Sequence, residues 1–590
     1  MFKNLLNRLR PAAPEAPPAP APGLATGTAP VAAPAALDDV PRADALVARG
    51  NDLEDAGDLA QAEALYRQAV AAAPGHPRGH LNLGIVLVAR NDAAGAAAAF
   101  ERVLAIDPAH PFGNYNYARL LVIHRQLDRA ETLVREALRV KPDFPQATEL
   151  LARVLRDQGF ADEALVPLQE IVARDPGNFL HRSFELFASN FVDDARQQRL
   201  HRRHAAFGAA LEQAVPVRFT SHPGRGHPGR RLRVGYLSSN FAIHVVSFFM
   251  LPLLQHHDES QVEVFCYSSD TDRDAMTDQL RAAAHEWRDV AALSDAELAD
   301  LIHADRIDVL VDLIGHTGIT RLGVFSARPA PVQVTWLGYL NTSGLTRMDF
   351  RLSDARCDPL DISQPCHTER LVHLPASQWC YRPVADHPGC AVPPLERNGY
   401  VTFGSFNSAI KITPQACRRW AQVLLRVPGS RLVVGDIGTQ RKQQAIRREI
   451  EGLGVAGDRL TFLDRVPLED YLALYDQVDI AFDTFPYGGG TTTFDSLWMG
   501  VPVVAALGEL PVSRSAASIL SAIGLDDWIA PSVDDFVELA VARASDPQAL
   551  RALRPVLRQR LRESPLTDLP RFARDLESAY RSMWLEKVNR

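Results

Sequence analysis

A period of 34 residues runs through residues 43–178 and constrains the fold more tightly than composition can. Pro74, Pro108, Pro142 and Pro176 mark it. Ala62, Ala96, Ala130 and Ala164 stand twelve residues before these prolines, and Tyr66, Phe100, Val134 and Leu168 eight before. Gly50, Gly84, Ala118 and Ala152 keep one further position small. Each unit therefore holds two helical runs with small residues where helices touch, and a proline stops the second run because it lacks an amide donor. Such a unit cannot bury its apolar face alone, so four copies predict a stack. A superhelix of helix pairs offers a concave face to an extended peptide. The expected partner of this region is a protein, and no reaction is expected of it.

The repeat resembles the tetratricopeptide repeat, in four copies over residues 43–178. Ahead of it, residues 11–36 are mostly Pro, Ala and Gly with Glu15 as the one charge, so residues 1–42 are expected to be a disordered tether. The start, MFKNLLNRLR, is broken by Asn4, Asn7 and Arg8 and does not match a secretory signal. A formal net charge of −8 disfavours a general nucleic-acid or membrane-surface binder. No apolar run reaches the 18 residues of a bilayer span. The six cysteines, Cys266, Cys357, Cys366, Cys380, Cys390 and Cys417, form no CxxC pair. A reduced, cytoplasmic location is expected from them.

After a helical linker over 179–231, the pattern changes to short apolar runs separated by amphipathic segments: RVGYLS, VEVFCYS, DVLVDLI and VQVTWLGY, then VTFGSF, RLVVGD, RLTFL, DIAFDT and PVVAAL. Continuous apolar strands between helices indicate parallel sheets covered on both faces. Two doubly wound α/β units are expected, at 232–390 and 398–560, with a C-terminal helix at 561–590. Ligands of such folds bind at the carboxyl ends of the strands.

Chemistry gathers at the strand ends. In DTFPYGGGTTTFDSLWMG, residues 483–500, a strand runs into a Gly-rich turn (Gly488, Gly489, Gly490), and Thr491 and Thr492 open a helix. Glycines admit close approach, and hydroxyls and helix N-terminal amides donate to phosphate oxygens. Asp495 can accept from a sugar hydroxyl. In TFGSFNSAIKITP, residues 402–414, a polar turn bears Asn407, Ser408 and Lys411, whose ammonium can neutralise a diphosphate. His244 follows the first strand of the first α/β unit. The loops LIGHTG (His316, Thr317) and LGYLNTSG (Tyr339, Thr342, Ser343) add polar groups on what is expected to be the sugar and acceptor side. The 483–500 motif is neither a Walker A sequence nor a GxGxxG fingerprint.

Together, RVGYLSSNFAIH, ARPAPVQVTWLGYLNTSG, VTFGSFNSAIKITP and DTFPYGGGTTTFDSLWMGVPVV behind tetratricopeptide repeats resemble the O-GlcNAc transferase and SPINDLY family. The resemblance implies a GT-B fold of two Rossmann-like domains and inverting transfer from a nucleotide sugar to a Ser or Thr hydroxyl of a protein, with no metal and no cofactor. It matches Lys411 to the lysine at the donor diphosphate and Thr491 and Thr492 to the phosphate-holding threonines. Asp495 matches an acidic residue at the ribose, Tyr471 a ring beside the base, and His244 a histidine near sugar and acceptor. Gly490 and Leu474 stand where animal O-GlcNAc transferases have histidine and arginine, and Asn240 where aspartate is common. The favoured donor is UDP-GlcNAc. The alternatives are GDP-fucose, as used by the plant SPINDLY branch, or another nucleotide sugar, or a non-catalytic tetratricopeptide scaffold with a vestigial transferase domain.

Overall fold

The computed structural model describes residues 39–588 apart from 223–226, 228, 386, 390 and 391. The tether expected at the N-terminus therefore lies outside the described residues up to 38, and the first helix already begins at Val40. The chain divides into two compact units after Val154.

The first unit is a series of antiparallel helix pairs: α1 (Val40–Asp55) with α2 (Leu59–Ala72), α3 (Pro77–Ala89) with α4 (Ala93–Ile106), and α5 (Pro111–Ile123) with α6 (Leu127–Val140). It ends within α7 (Pro145–Gln158). Asp58 and Asp92 start α2 and α4 by accepting from the amides of Gln61 and Gly95. The repeat has a packing cause. A Cβ on Gly50 would meet the Tyr66 ring at 2.4 Å, and one on Gly84 the Phe100 ring at 2.5 Å. Each small residue is the socket for the aromatic of its own repeat, and the prolines fall just beyond the ends of α2, α4 and α6.

The second unit opens with α8 (Ala161–Arg174), α9 (Phe179–Ala188) and α10 (Gln197–Ala214), followed by two parallel sheets. The first holds β1 (Leu232–Ser238), β2 (Val262–Ser268), β3 (Glu286–Asp289), β4 (Val309–Asp312), β5 (Val332–Thr335), β6 (Phe350–Ser353) and β7 (Arg370–His373), in the order β3-β2-β1-β4-β5-β6-β7. The second holds β8 (Thr402–Ser405), β9 (Arg431–Val434), β10 (Leu460–Phe462), β11 (Ile480–Phe482), β12 (Val503–Ala506) and β13 (Ile529–Ala530), in the order β10-β9-β8-β11-β12-β13. In both, the winding reverses where the first strand pairs with the fourth, β1 with β4 and β8 with β11. Loops leaving these neighbours diverge and open a crevice between them.

The two lobes are fastened by more than their connecting segment. The closing helix, Leu569–Val588, returns to the first lobe, where Glu577 Oε1 lies 2.7 Å from His257 Nδ1 and accepts from the Asp258 amide at 2.9 Å. Tyr381, from the segment between the lobes, stacks on Phe494 of the second lobe with centroids 4.6 Å apart.

Candidate active site

The crossover of the second sheet brings the two strongest sequence motifs together. The β8 loop carries Asn407, Ser408 and Lys411; the β11 loop carries Asp483 to Gly490 and the helix Thr491–Trp498. Asn407 Oδ1 accepts from the Thr492 hydroxyl at 2.9 Å, which ties the loops to each other. The Lys411 ammonium donates to Gly488 O at 2.8 Å and stands 4.6 Å from the Tyr487 ring centroid. Asp483 shapes the glycine turn from below by accepting from the Gly489 amide at 2.6 Å. Burial pushes Lys411 down to about 8 and Asp483 up to about 7, each opposed by attraction to the other.

A helix start beside a lysine can receive an anion. Gly490 is its N-cap and offers no side chain to the first-turn amides. The Thr493 amide donates to Gly490 O at 3.0 Å, and no side chain caps the amides of Thr491 and Thr492. Ser408 is exposed at the lip of the β8 loop. Tyr471 is linked to Tyr475 by a hydroxyl pair 2.7 Å apart, and Tyr475 donates to Thr492 O at 3.2 Å, so an aromatic wall is fixed to the same helix. Asp495 lies deeper, accepting from the Tyr381 hydroxyl at 2.9 Å, and burial pushes its carboxyl up to about 7.

His244 stands in the first lobe, beyond β1, and is exposed. Its Nδ1 accepts from the Val246 amide at 3.2 Å and caps the helix Val245–Leu254. With Nδ1 accepting, a neutral ring carries its proton on Nε2. Thr317 lies in the neighbouring β4 loop, where its hydroxyl donates to Ile314 O at 2.7 Å. A Cβ on Gly318, next in the chain, would sit 3.2 Å from Ser239 Oγ in the β1 loop.

The other residues expected on the acceptor side are placed differently. His316 is fully buried, with Nδ1 2.5 Å from Ser183 Oγ of α9 and Nε2 3.0 Å from Ser343 O; burial pushes it down to about 4. The Tyr339 hydroxyl lies 2.6 Å from His204 Nε2 of α10 and accepts from Asn190 at 2.9 Å. Thr342 donates to Glu369 at 2.6 Å, and the Ser343 hydroxyl and amide donate to the same carboxylate. His316 and Tyr339 thus anchor α9 and α10, and Thr342 and Ser343 are held on Glu369. Sequence reasoning missed Tyr487, Asp483 and the Asn190–Gln197 turn. Asp483 and Tyr487 flank glycines within a recognised motif, whereas the turn carries no motif.

Two Rossmann-like lobes of these strand orders, with a lysine and an uncapped helix start at the crossover of the second, define a GT-B architecture. Glycosyl transferase family 41 matches residues 191–388 and 395–576, and tetratricopeptide-repeat models match 47–111 and 87–154. The chain belongs to glycosyl transferase family 41. It is 39% identical over 407 residues to a tomato (Solanum lycopersicum) protein described as a probable UDP-N-acetylglucosamine–peptide N-acetylglucosaminyltransferase SPINDLY. That match covers 68% of this chain and 43% of the tomato protein. The corresponding SEC protein of Arabidopsis thaliana is 30% identical over 67% of this chain and 42% of its own length. The matched region thus spans under half of these plant relatives. A solved structure, a lysine-to-methionine mutant of the Thermobaculum terrenum O-GlcNAc transferase, superposes with a TM-score of 0.67 at 32% identity, over 94% of this chain and 99% of the other.

Proposed function

We propose that the chain is an inverting protein O-glycosyltransferase that moves a sugar from a nucleotide diphosphate donor to a Ser or Thr hydroxyl of a protein held by the repeats. The observation that carries this reading is Lys411, placed at the sheet crossover against the Gly488 carbonyl and beside the uncapped start of Thr491–Trp498. In the reaction the acceptor oxygen bonds to the anomeric carbon as the bond from that carbon to the diphosphate oxygen breaks. The charge released on the diphosphate falls on Lys411, the Thr491 and Thr492 groups and the first-turn amides. Because His244 Nδ1 is engaged as a cap, His244 serves as a donor to sugar or acceptor, and a donor phosphate oxygen takes the hydroxyl proton. Tyr471 flanks the base and Asp495 accepts from the ribose. Counter-charge comes from the protein, so transfer should persist in chelator, without a metal or other cofactor. The acceptor and the enzyme are expected to meet in the cytoplasm.

UDP-GlcNAc is the favoured donor, in keeping with the names of the plant relatives. GDP-fucose is a second reading, supported by the higher identity to SPINDLY than to SEC and by Gly490 and Leu474 in place of histidine and arginine. Calorimetry with UDP-GlcNAc, UDP-glucose, GDP-fucose and GDP-mannose, followed by transfer assays, tests both. Absence of binding by all four would favour a scaffold with a vestigial domain.

A further inference from the structure

Lys442 belongs to the helix Gln440–Glu451 and is only 5% exposed. Its ammonium donates to two backbone carbonyls on different elements, Gly159 O at 2.7 Å and Ile412 O at 2.8 Å. Gly159 lies in the turn between α7 and α8, and Ile412 directly follows Lys411. Burial pushes Lys442 down to about 8, with Asp162, Asp193 and Cys417 acting to raise it and Arg441 to lower it. A buried ammonium is a costly way to fill space, and an apolar residue of similar volume is often as stable or more so. Its two bonds therefore point to a positional task.

The same turn touches the Lys411 turn directly. Gly159 has φ +92°, and a Cβ there would stand 2.6 Å from the Ala409 carbonyl carbon. Phe160 lies under Arg441, whose guanidinium carbon is 4.0 Å from the ring centroid, and Arg441 pairs with Glu163 at 2.6 Å. The braced element is short. Ala409–Lys411 is one 3-10 turn in which Lys411 N–H donates to Ser408 O and Ile412 N–H to Ala409 O. Three residues of this kind hold a long side chain poorly unless something outside fixes them.

We propose that Lys442 and Gly159 are positioning residues: through them the α7–α8 turn fixes the Ala409–Ile412 turn and so aims the Lys411 ammonium at the donor diphosphate. This rests on the function assigned above, and the test separates the two. In the full-length chain, Lys442→Met removes both donations while keeping the stem, and Gly159→Ala pushes the Lys411 turn from the repeat side. Folding is checked by circular dichroism. Each variant should lose roughly tenfold or more in kcat while the donor KM stays within about threefold, since a displaced charge costs the transition state more than binding. Independently of activity, competitive acetylation with acetic anhydride, read by mass spectrometry against a free lysine analogue, should show Lys411 about threefold or more reactive as its turn opens. A folded Lys442→Met protein with wild-type Lys411 labelling overturns the proposal, and so does a folded Gly159→Ala protein with wild-type kcat. Failure of the wild-type chain to transfer any sugar would remove the assigned function, and labelling would still decide the brace.

Discussion

Phe191 lies face to face with Tyr487, with ring centroids 4.5 Å apart and planes 4° from parallel. The first residue comes from the turn between α9 and α10, the second from the glycine loop of the second lobe. The Tyr487 ring also carries the Lys411 ammonium. Neighbours of Phe191 in the turn grip both lobes: Asn190 donates to Tyr339, and Asp193 accepts from the Gln415 amide at 2.9 Å. Phe191→Ala should therefore destabilise the unit by about 3–5 kcal/mol, as for other buried aromatics. Phe191→Tyr, which keeps the stack, should melt close to wild type. Equal melting temperatures for all three proteins would show that the stack contributes nothing.

Lys411→Ala should lower the transfer rate by about 10²–10³ in a protein that circular dichroism shows to be folded, because the ammonium supplies the counter-charge to the leaving group. Its lowered pKa sets a pH dependence. The cation is the working form, so its contribution is complete well below about 8 and is lost as pH rises through that value. Lys411→Arg keeps a charge at all accessible pH, so its residual rate should lack the alkaline fall. An unchanged alkaline limb in this variant would assign that limb to another group.

At His244, Asn is more informative than Ala. An Asn side chain can cap the helix through its oxygen and donate through its nitrogen, but cannot accept the hydroxyl proton as a base. His244→Asn should therefore stay within about tenfold of wild type, whereas loss of a general base costs roughly 10²–10⁴. Steady-state kcat of the Asn and Ala variants checks this, and equal collapse of both would make His244 the base.

Much of this architecture is legible in the sequence because packing wrote it there. Gly50 faces Tyr66 and Gly84 faces Phe100, so the period of the first unit is a record of sockets. The apolar strands β1, β2, β4, β5, β8, β9, β11 and β12 announce themselves because they are largely buried on both faces, and β10 does so through Leu460 and Phe462 although Thr461 is exposed. The strands that escaped lack that signature. The edge strands β3, Glu-Trp-Arg-Asp, and β7, Arg-Leu-Val-His, are partly exposed, β6 contains Arg351, and β13 has two residues. Arg351 shows why polarity misleads: it is fully buried because its guanidinium donates to Tyr339 O at 2.8 Å and Asn341 O at 3.1 Å. At the site, residues contiguous in a motif were found, while contacts made across the fold, such as Ser183 with His316 or Gly159 with Lys442, left no local trace.

Asp495 is the clearest conflict between stability and function. Its carboxyl is raised to about 7 by burial, so between the ordinary carboxylate value and about 7 the folded chain holds a proton that the unfolded chain releases. Stability from this group accordingly falls as pH rises through that window. Asp495→Asn keeps an acceptor for Tyr381 and removes the charge. It should raise the melting temperature by roughly 2–4 °C near pH 8 and by little near pH 5. Donor affinity should fall by roughly tenfold through loss of a charged acceptor for the ribose. A gain in melting temperature independent of pH would assign the effect to packing.

Where the chain is cut should decide which activity survives. Removing residues 1–154 takes away the first compact unit and leaves Gly159, Phe160 and Glu163 in place against Lys442 and Arg441. That truncation should still hydrolyse the nucleotide sugar with water, while glycosylation of the intact protein acceptor falls by roughly two orders of magnitude through lost effective concentration. Removing residues 1–178 also deletes α8 and the α7–α8 turn. Lys442 then keeps Ile412 O and loses Gly159 O, and Phe160 no longer covers Arg441, so hydrolysis should fall as well even where circular dichroism shows a folded protein. Hydrolysis and protein glycosylation measured on the two truncations give a two-by-two comparison. Equal hydrolysis by both would show that the last repeat turn serves only the acceptor, and loss of hydrolysis already in the shorter deletion would place part of the donor site's support in the first unit.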